Sequence, residues 1–247
     1  MTSQYSKALI IGAGRGTGRA LALKLADAGI QVTAVARTAS DLEKLKAENK
    51  DIDVVVGDGS DGIANNLVGD IQPDLLLLAG GITPRMGSFF DQDWDSFSAA
   101  WNGDTKTTFE FLKAALITPM AQDSAIVTFA SGAAINGSWL SGGYAGAKRM
   151  QHYLTNYALK ESDRRNLGLR CFTVYPLQLI LGTSTGDTAV KAYADAQSVS
   201  IAEFRAQWDT QLTPDYLAGQ VIDLVDRENV HMPGAWGITG SNMEQMS

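Results

Sequence analysis

The chain has 247 residues, 45% of them apolar and 19% charged, and its 20 basic and 27 acidic residues leave a formal charge of −7. That length suits a single domain spanning residues 1–247, with a core large enough to need neither disulfides nor metal, and the composition excludes wholesale disorder. The acidic balance disfavours a nucleic-acid partner, and with one cysteine, Cys171, and two histidines, His152 and His231, neither an internal disulfide nor a His/Cys metal centre is expected.

Short apolar runs alternate with amphipathic stretches along the chain. Lys7–Ile11 reads as a buried strand, and Gly16 to Ala28 as a helix closed by Gly29. Gln31–Ala36 is a second strand, Ser40 to Asn49 a charged helix, and Ile52–Val56 a third strand. Asp74–Ala79 and Ala125–Ala130 are the fourth and fifth strands, with helical patterns over Asp104–Ile117 and Tyr144–Glu161. Leu169–Val174 is a sixth strand, Asp187–Gln211 one or two short helices, Pro214–Arg227 another helix, and Ala235–Thr239 a last strand. Strand–helix alternation with short connections implies parallel pairing, and nearly all-apolar strands imply helices on both faces. The expected fold is a doubly wound α/β Rossmann fold with a parallel sheet of about seven strands, carrying a substrate-side helical insertion at about 183–212. Met1 to Lys7 lacks a secretory signal, and the longest apolar run, Leu75 to Ala79, is far below a membrane span. A soluble, cytoplasmic protein with no membrane partner is therefore expected.

The first strand runs into Gly12-Ala13-Gly14-Arg15-Gly16-Thr17-Gly18 and then a helix. Such a turn gathers free backbone N–H groups at the positive end of the helix dipole, and glycines let a pyrophosphate approach the main chain. That context predicts nucleotide binding; a glycine turn with no ligand is the alternative. The second strand ends Val35-Ala36-Arg37-Thr38, without the acid that would hold the 2′-hydroxyl of NAD. Arg37 and Arg15 can instead bracket a 2′-phosphate, or be plain solvated arginines.

Tyr144 and Lys148 stand four apart, on one face of a helix, with Ser131 thirteen residues upstream and just past the fifth strand. A phenol with a pKa near 10 is a poor proton donor or acceptor at neutral pH, and a neighbouring ammonium lowers that value. A serine hydroxyl can fix a carbonyl oxygen beside the phenol. These groups suit hydride transfer to or from a carbonyl carbon; an exposed Tyr–Lys pair with a loop serine is the plain alternative.

On these residues the chain resembles the short-chain dehydrogenase/reductases, from the Gly12–Gly18 loop to about Pro176. The resemblance implies Tyr144 as general acid/base, Lys148 as the group that lowers its pKa and holds the nicotinamide ribose, and Ser131 as the group that orients the substrate carbonyl. It places Asp58 at adenine, Ala79, Gly80 and Pro176 along the cofactor, and Thr183 at the nicotinamide carboxamide. Arg15 and Arg37 look like the NADP-preferring members, so NADP(H) is the cofactor implied. A homotetramer or homodimer is likewise implied, through the two long helices.

Several positions depart from the family pattern. Its Asn-Asn-Ala-Gly after the fourth strand reads Leu77-Leu78-Ala79-Gly80. Its proton-relay asparagine falls on Asp104, with Asn102 two residues earlier as the other candidate. Its Pro-Gly after the sixth strand is Pro176-Leu177, followed by a longer loop before Thr183.

Trp139, Leu177, Leu179, Ile180, Tyr193, Phe204 and Trp208 cluster in the segments expected opposite the cofactor. They suggest a small, moderately hydrophobic carbonyl or alcohol substrate, or simply core packing. Arg85 could meet an anionic group or be a solvated loop residue. Asp91, Asp93 and Asp95 lack the glycine and distal Glu of a calcium loop and are expected to cap a helix. His152 is expected at a helix surface or interface. The leading expectation is an NADP(H)-dependent oxidoreductase. A non-catalytic NADP-binding sensor on the same fold is the alternative, since Leu77, Leu78 and Asp104 depart from the pattern. A lyase of the halohydrin dehalogenase kind is disfavoured, because those proteins replace the lysine and lose the glycine loop.

Overall fold

The computed structural model describes residues 5–229 and 231–246. Eight strands form one sheet: β1 (Lys7–Ile11), β2 (Gln31–Ala36), β3 (Asp53–Val56), β4 (Leu75–Leu78), β5 (Ala125–Phe129), β6 (Arg170–Pro176), β7 (Gly234–Ile238) and β8 (Met243–Gln245). Their spatial order is β3-β2-β1-β4-β5-β6-β7-β8, parallel throughout except for β8, which runs antiparallel to β7. The helices are α1 (Gly16–Asp27), α2 (Ala39–Glu48), α3 (Ala64–Ile71), α4 (Trp94–Ala100), α5 (Lys106–Ile117), α6 (Ala133–Asn136), α7 (Tyr144–Arg164), α8 (Ser184–Gln197), α9 (Ile201–Arg205) and α10 (Pro214–Val225).

The unbroken apolar strands are explained by the two cores they serve. Ala8 and Ile10 of β1, Leu75 and Leu77 of β4 and Val127 of β5 pack with α1 and α10. Their neighbours Leu9, Ile11, Leu76, Leu78 and Ile126 point the other way, onto α3, α5 and α7. Successive strand residues face opposite sides, so a strand covered on both faces must be apolar at every position. The outer strand β3 is the contrast, with Val54 and Val56 exposed.

Strand order reverses at β1, which lies between β2 and β4. Chains leaving the carboxyl ends of β1 and β4 therefore diverge and open a crevice, the usual ligand position in such sheets.

The structure adds elements to those read from the sequence. An eighth strand joins the expected seven; three residues are too few for an alternation pattern to register. Helix α3 carries Ala64, Leu67, Val68 and Ile71 at helical spacing, a signal that was present but sits among Asn65, Asn66 and Gly69. The helix expected from Asp104 begins instead as a π turn over Trp101–Thr105 that continues α4 and hands over to α5. Trp101 anchors this turn by donating its Nε1–H to the Gly143 carbonyl at 3.1 Å, and a Cβ on Gly103 would lie 2.3 Å from Ile82 Cδ1. As expected, the aspartates after β4 are caps. Asp91 and Ser88 box a 3-10 turn, and Asp93 accepts from Ser96 N–H at the start of α4.

Three loops at the carboxyl ends touch one another. Gly87, beyond β4, bridges to Ser141, and its N–H donates to Leu140 O at 2.8 Å. Thr83 Oγ1 lies 3.3 Å from Thr185 Oγ1 of α8. The hydroxyls of Ser138 and Tyr193 are hydrogen-bonded, with Trp139 edge-on to the Tyr193 ring at 6.4 Å.

Candidate active site

A cleft of about 320 Å³ occupies the crevice, running from Arg37 and Asp58 at one end to Ser131, Tyr144 and Lys148 at the other. Its middle is bare backbone. Gly12 has φ +87°, and a Cβ there would lie 2.3 Å from Gly80 Cα; a Cβ on Gly18 would lie 2.2 Å from Gly12 O. Only glycine lets β1, α1 and the chain after β4 approach so closely.

The residues present suit a dinucleotide. Helix α1 starts without a side-chain cap on Arg15, so its first N–H groups remain open to the cleft. Thr17 Oγ1 is buried with no hydrogen-bond partner. An unsatisfied hydroxyl beside an uncapped helix N-terminus fits a phosphate. The cleft also receives Gly14, Gly16, Ala79, Gly80 and Pro176.

At the far end Arg15 and Arg37 both line the cleft. Arg37 Nη1 lies 3.6 Å from Asp58 Oδ2. Asp58 accepts from Ser60 N–H at 3.0 Å and Ser60 Oγ at 2.9 Å, and these bonds, with Arg37, hold its carboxyl below its ordinary pKa. The Asp58 side chain is thus committed to Ser60 and Arg37. Asp41, at the start of α2, also lines this end; as one charge among several on a polar helix it carries no signal of that role.

The end of the cleft that holds Tyr144 and Lys148 is built by the starts of two helices and the ends of two strands. The π turn turns Asp104 inward, where its Oδ2 lies 3.1 Å from Lys148 Nζ, with side-chain exposures of only 2% and 5%. Asp104 Oδ1 accepts from Ile82 N–H at 2.8 Å, and Lys148 Nζ donates to Phe129 O at 3.1 Å. Asn102 instead bonds Ser98 Oγ, so of the two relay candidates it is Asp104 that faces Lys148. The Lys148 ammonium stands 5.5 Å from the centroid of the Tyr144 ring, and the Ser131 hydroxyl is near enough to Tyr144 to pull its pKa down.

The electrostatics differ from the simple expectation for a Tyr–Lys pair. Burial raises the Tyr144 pKa above its ordinary value; Lys148 and Ser131 pull it down, and Asp104 adds to the rise. The ammonium acts in the expected direction but is outweighed by burial, to which the Asp104 carboxylate adds. Burial alone would lower the Lys148 pKa, yet Asp104 and Tyr144 hold it above the usual value, so the ammonium stays charged.

One expectation gains detail here and another is corrected. Thr183 lines the cleft, and its hydroxyl also donates to Ile180 O at 2.7 Å and accepts from Gly186 N–H at 3.0 Å, capping α8. Its methyl faces Gly16, at the phosphate turn. Of the apolar group read as a substrate wall, only Leu179 and Ile180 line the cleft. Tyr193, Phe204 and Trp208 pack with Val190 and Ala194 into a small core of their own, with Tyr193 and Phe204 stacked at 6.2 Å. His152 lies on α7 against Tyr175, outside the cleft lining. Arg85 pairs with Asp93 at 3.2 Å on the surface. The lining residues that the sequence did not single out include Ile82, Thr83, Thr107, Gln178 and Thr185.

Among the described residues no helix is long and apolar enough to cross a membrane, and no cluster of three His, Cys, Asp or Glu could hold a metal. A family profile described as short chain dehydrogenase matches residues 6–178. D-erythrulose reductase of Gallus gallus is 40% identical over 84 residues, 34% of this chain and 34% of its own length. L-xylulose reductase of Mesocricetus auratus is 30% identical over 105 residues, 42% of this chain and 43% of its own. The alignments thus span less than half of these relatives. Among solved structures, levodione reductase superposes with a TM-score of 0.82 at 22% identity, covering 95% of this chain and 96% of that one.

Proposed function

Because the chain belongs to the short-chain dehydrogenase family, we propose that it is an NADP(H)-dependent oxidoreductase acting on a small carbonyl or alcohol. The observation that carries this reading is the convergence of Ser131, Tyr144, Lys148 and Asp104 at one end of a cleft whose middle is bare backbone. When bound, the nicotinamide supplies or accepts hydride at the substrate carbon. Gly14, Gly16 and Thr17 would hold the pyrophosphate with backbone N–H groups and a free hydroxyl, while Gly12 and Gly18 keep the turn tight enough for its approach. Arg15 and Arg37 receive the 2′-phosphate, and Ala79, Gly80 and Pro176 line the path of the ring.

In reduction, Ser131 donates to the carbonyl oxygen and holds it beside Tyr144, whose neutral phenol gives the proton as the oxygen gains charge. In oxidation the phenolate takes that proton back. Lys148 remains an ammonium, stabilises the phenolate and binds the ribose; Asp104 positions Lys148 and balances its charge. The neutral phenol is the form that carbonyl reduction consumes, so the resting site is protonated for that direction.

The test is a fluorescence titration with NADPH and NADH, followed by a panel of aldehydes, ketones and alcohols read at the nicotinamide absorbance. NADPH binding at least tenfold tighter than NADH, with turnover of part of the panel, is expected. Equal or tighter NADH binding overturns the roles of Arg15 and Arg37. Tight NADPH binding with a silent panel favours the sensor reading.

Asp104→Asn separates the charge from the shape at that position. It removes an anion that raises the Tyr144 pKa, so the phenol ionises more easily. The acidic limb of alcohol oxidation, which needs phenolate, is expected to move to lower pH. The alkaline limb of carbonyl reduction, which needs neutral phenol, moves the same way. Unchanged pH profiles in both directions would remove Asp104 from the electrostatics of the site.

A further inference from the structure

Gln178 lines the catalytic end of the cleft, and no part of the mechanism above uses it. It follows β6 by two residues. Gly132, next to Ser131, donates its N–H to Pro176 O at 2.8 Å, and a Cβ on Gly132 would lie 3.3 Å from Leu177 Cα. The chain carrying Gln178 is therefore pressed against the chain carrying Ser131.

Its amide is also oriented. Gly240 N–H donates to Gln178 Oε1 at 2.9 Å. Because the backbone N–H can only donate, the carbonyl oxygen must face Gly240 and the NH₂ must face away. Gly240 itself is closely packed: a Cβ there would lie 2.5 Å from Thr210 O. Among the described residues Gln178 Nε2 donates to no protein acceptor. The result is a half-buried side chain of the cleft lining whose amide is fixed through its oxygen and whose NH₂ is unused. Across the cleft, Thr83 and Thr185 pair their hydroxyls, which leaves one of the two protons over.

Building on the oxidoreductase reading, we propose that Gln178 is a specificity-determining residue. Its Nε2–H donates to a second oxygen function, a hydroxyl or a carbonyl, borne by the substrate beside the reacting carbonyl. The preferred substrates are then small α-hydroxy ketones or dicarbonyls, rather than the plain apolar ketones that Leu179 and Ile180 alone would select. A donor held in place before the ligand arrives costs little ordering entropy when it binds. A ligand lacking the second oxygen leaves that donor unpaired.

The experiment compares kcat/KM with NADPH for 2,3-butanedione, 1-hydroxy-2-butanone and 2-butanone, which share one carbon skeleton. Gln178→Met is expected to reduce the preference for both oxygenated ketones over 2-butanone by about tenfold, the scale of one neutral hydrogen bond. Gln178→Glu keeps an acceptor for Gly240 N–H, so the local fold persists. Its carboxylate accepts from a hydroxyl but repels a carbonyl oxygen, so the preference for 1-hydroxy-2-butanone is expected to survive and that for 2,3-butanedione to be lost. If Gln178 only braces Gly240, the methionine variant lowers all three values by one factor, and the subsite is overturned. If the parent protein binds NADPH and reduces no carbonyl at all, the oxidoreductase reading itself falls.

Discussion

Tyr144→Phe is expected to lower kcat for carbonyl reduction by roughly 10²- to 10⁴-fold, the usual worth of a positioned acid or base, while NADPH binding stays within a few-fold of the parent. The substitution removes one oxygen and leaves the ring beside Lys148. The buried Asp104–Lys148 pair is untouched, because neither partner depends on the phenol for its nearest contacts: Asp104 has Ile82 N–H and Lys148 has Phe129 O. The phenol acts only as the substrate oxygen gains or loses charge, so the loss belongs in kcat more than in KM. Single-turnover reduction followed at the nicotinamide band, alongside fluorescence titration of NADPH, separates the two. Turnover within tenfold of the parent would take Tyr144 out of the acid–base role.

Gly12→Ala is expected to be a severe structural lesion for a single methyl group. The position has φ +87°, and the added Cβ would lie 2.3 Å from Gly80 Cα and 2.4 Å from Gly80 N. Both obstacles are main chain, so no side-chain rotation relieves them. Left-handed strain and overpacking together cost on the order of 2–5 kcal/mol. For a chain of this size that corresponds to a fall in melting temperature of roughly 5–15 °C. Gly29→Ala provides the control: its φ is +82°, but nothing lies within 4 Å of the added atom. It carries only the conformational cost, about 1 kcal/mol. Thermal denaturation of the two variants, each with and without NADPH, tests the argument. Gly12→Ala is also expected to lose cofactor-induced stabilisation, because it pushes β1 away from the chain after β4. Equal melting temperatures for the two alanine variants would show that the Gly12–Gly80 approach is not confining.

Much of this architecture was legible in the chain because its causes are local. The apolar strands are continuous since both sheet faces are covered, and the glycine turn announces itself where β1 meets α1. Ser131, Tyr144 and Lys148 could be picked out because their chemistry needs them at the ends of a strand and a helix. The features that escaped have causes far away in sequence. The π turn that aims Asp104 at Lys148 depends on Trp101 reaching Gly143 and on Gly103 leaving room for Ile82. The capping role of Thr183 depends on the position of Gly186, which no local pattern announces. Phe204 and Trp208 have the composition of a substrate wall, but α8 and α9 fold onto each other and consume them. Gln178 is an unremarked loop glutamine until Gly240, 62 residues on, fixes which way its amide points.

The contacts among the loops at the carboxyl ends have a consequence for access. The segment after β4 touches α8 through Thr83 and Thr185; α8 touches the segment after β5 through Tyr193, Ser138 and Trp139; and that segment returns to the first through Leu140, Ser141 and Gly87. The three form a closed collar around the mouth of the cleft, so none can swing outward alone. Its joints are unequal. One is a backbone bridge and one a hydrogen bond backed by an aromatic contact, while the third is a single pair of hydroxyls at 3.3 Å. The third joint is thus the weakest of the collar, and it is the one whose residues, Thr83 and Thr185, line the cleft itself.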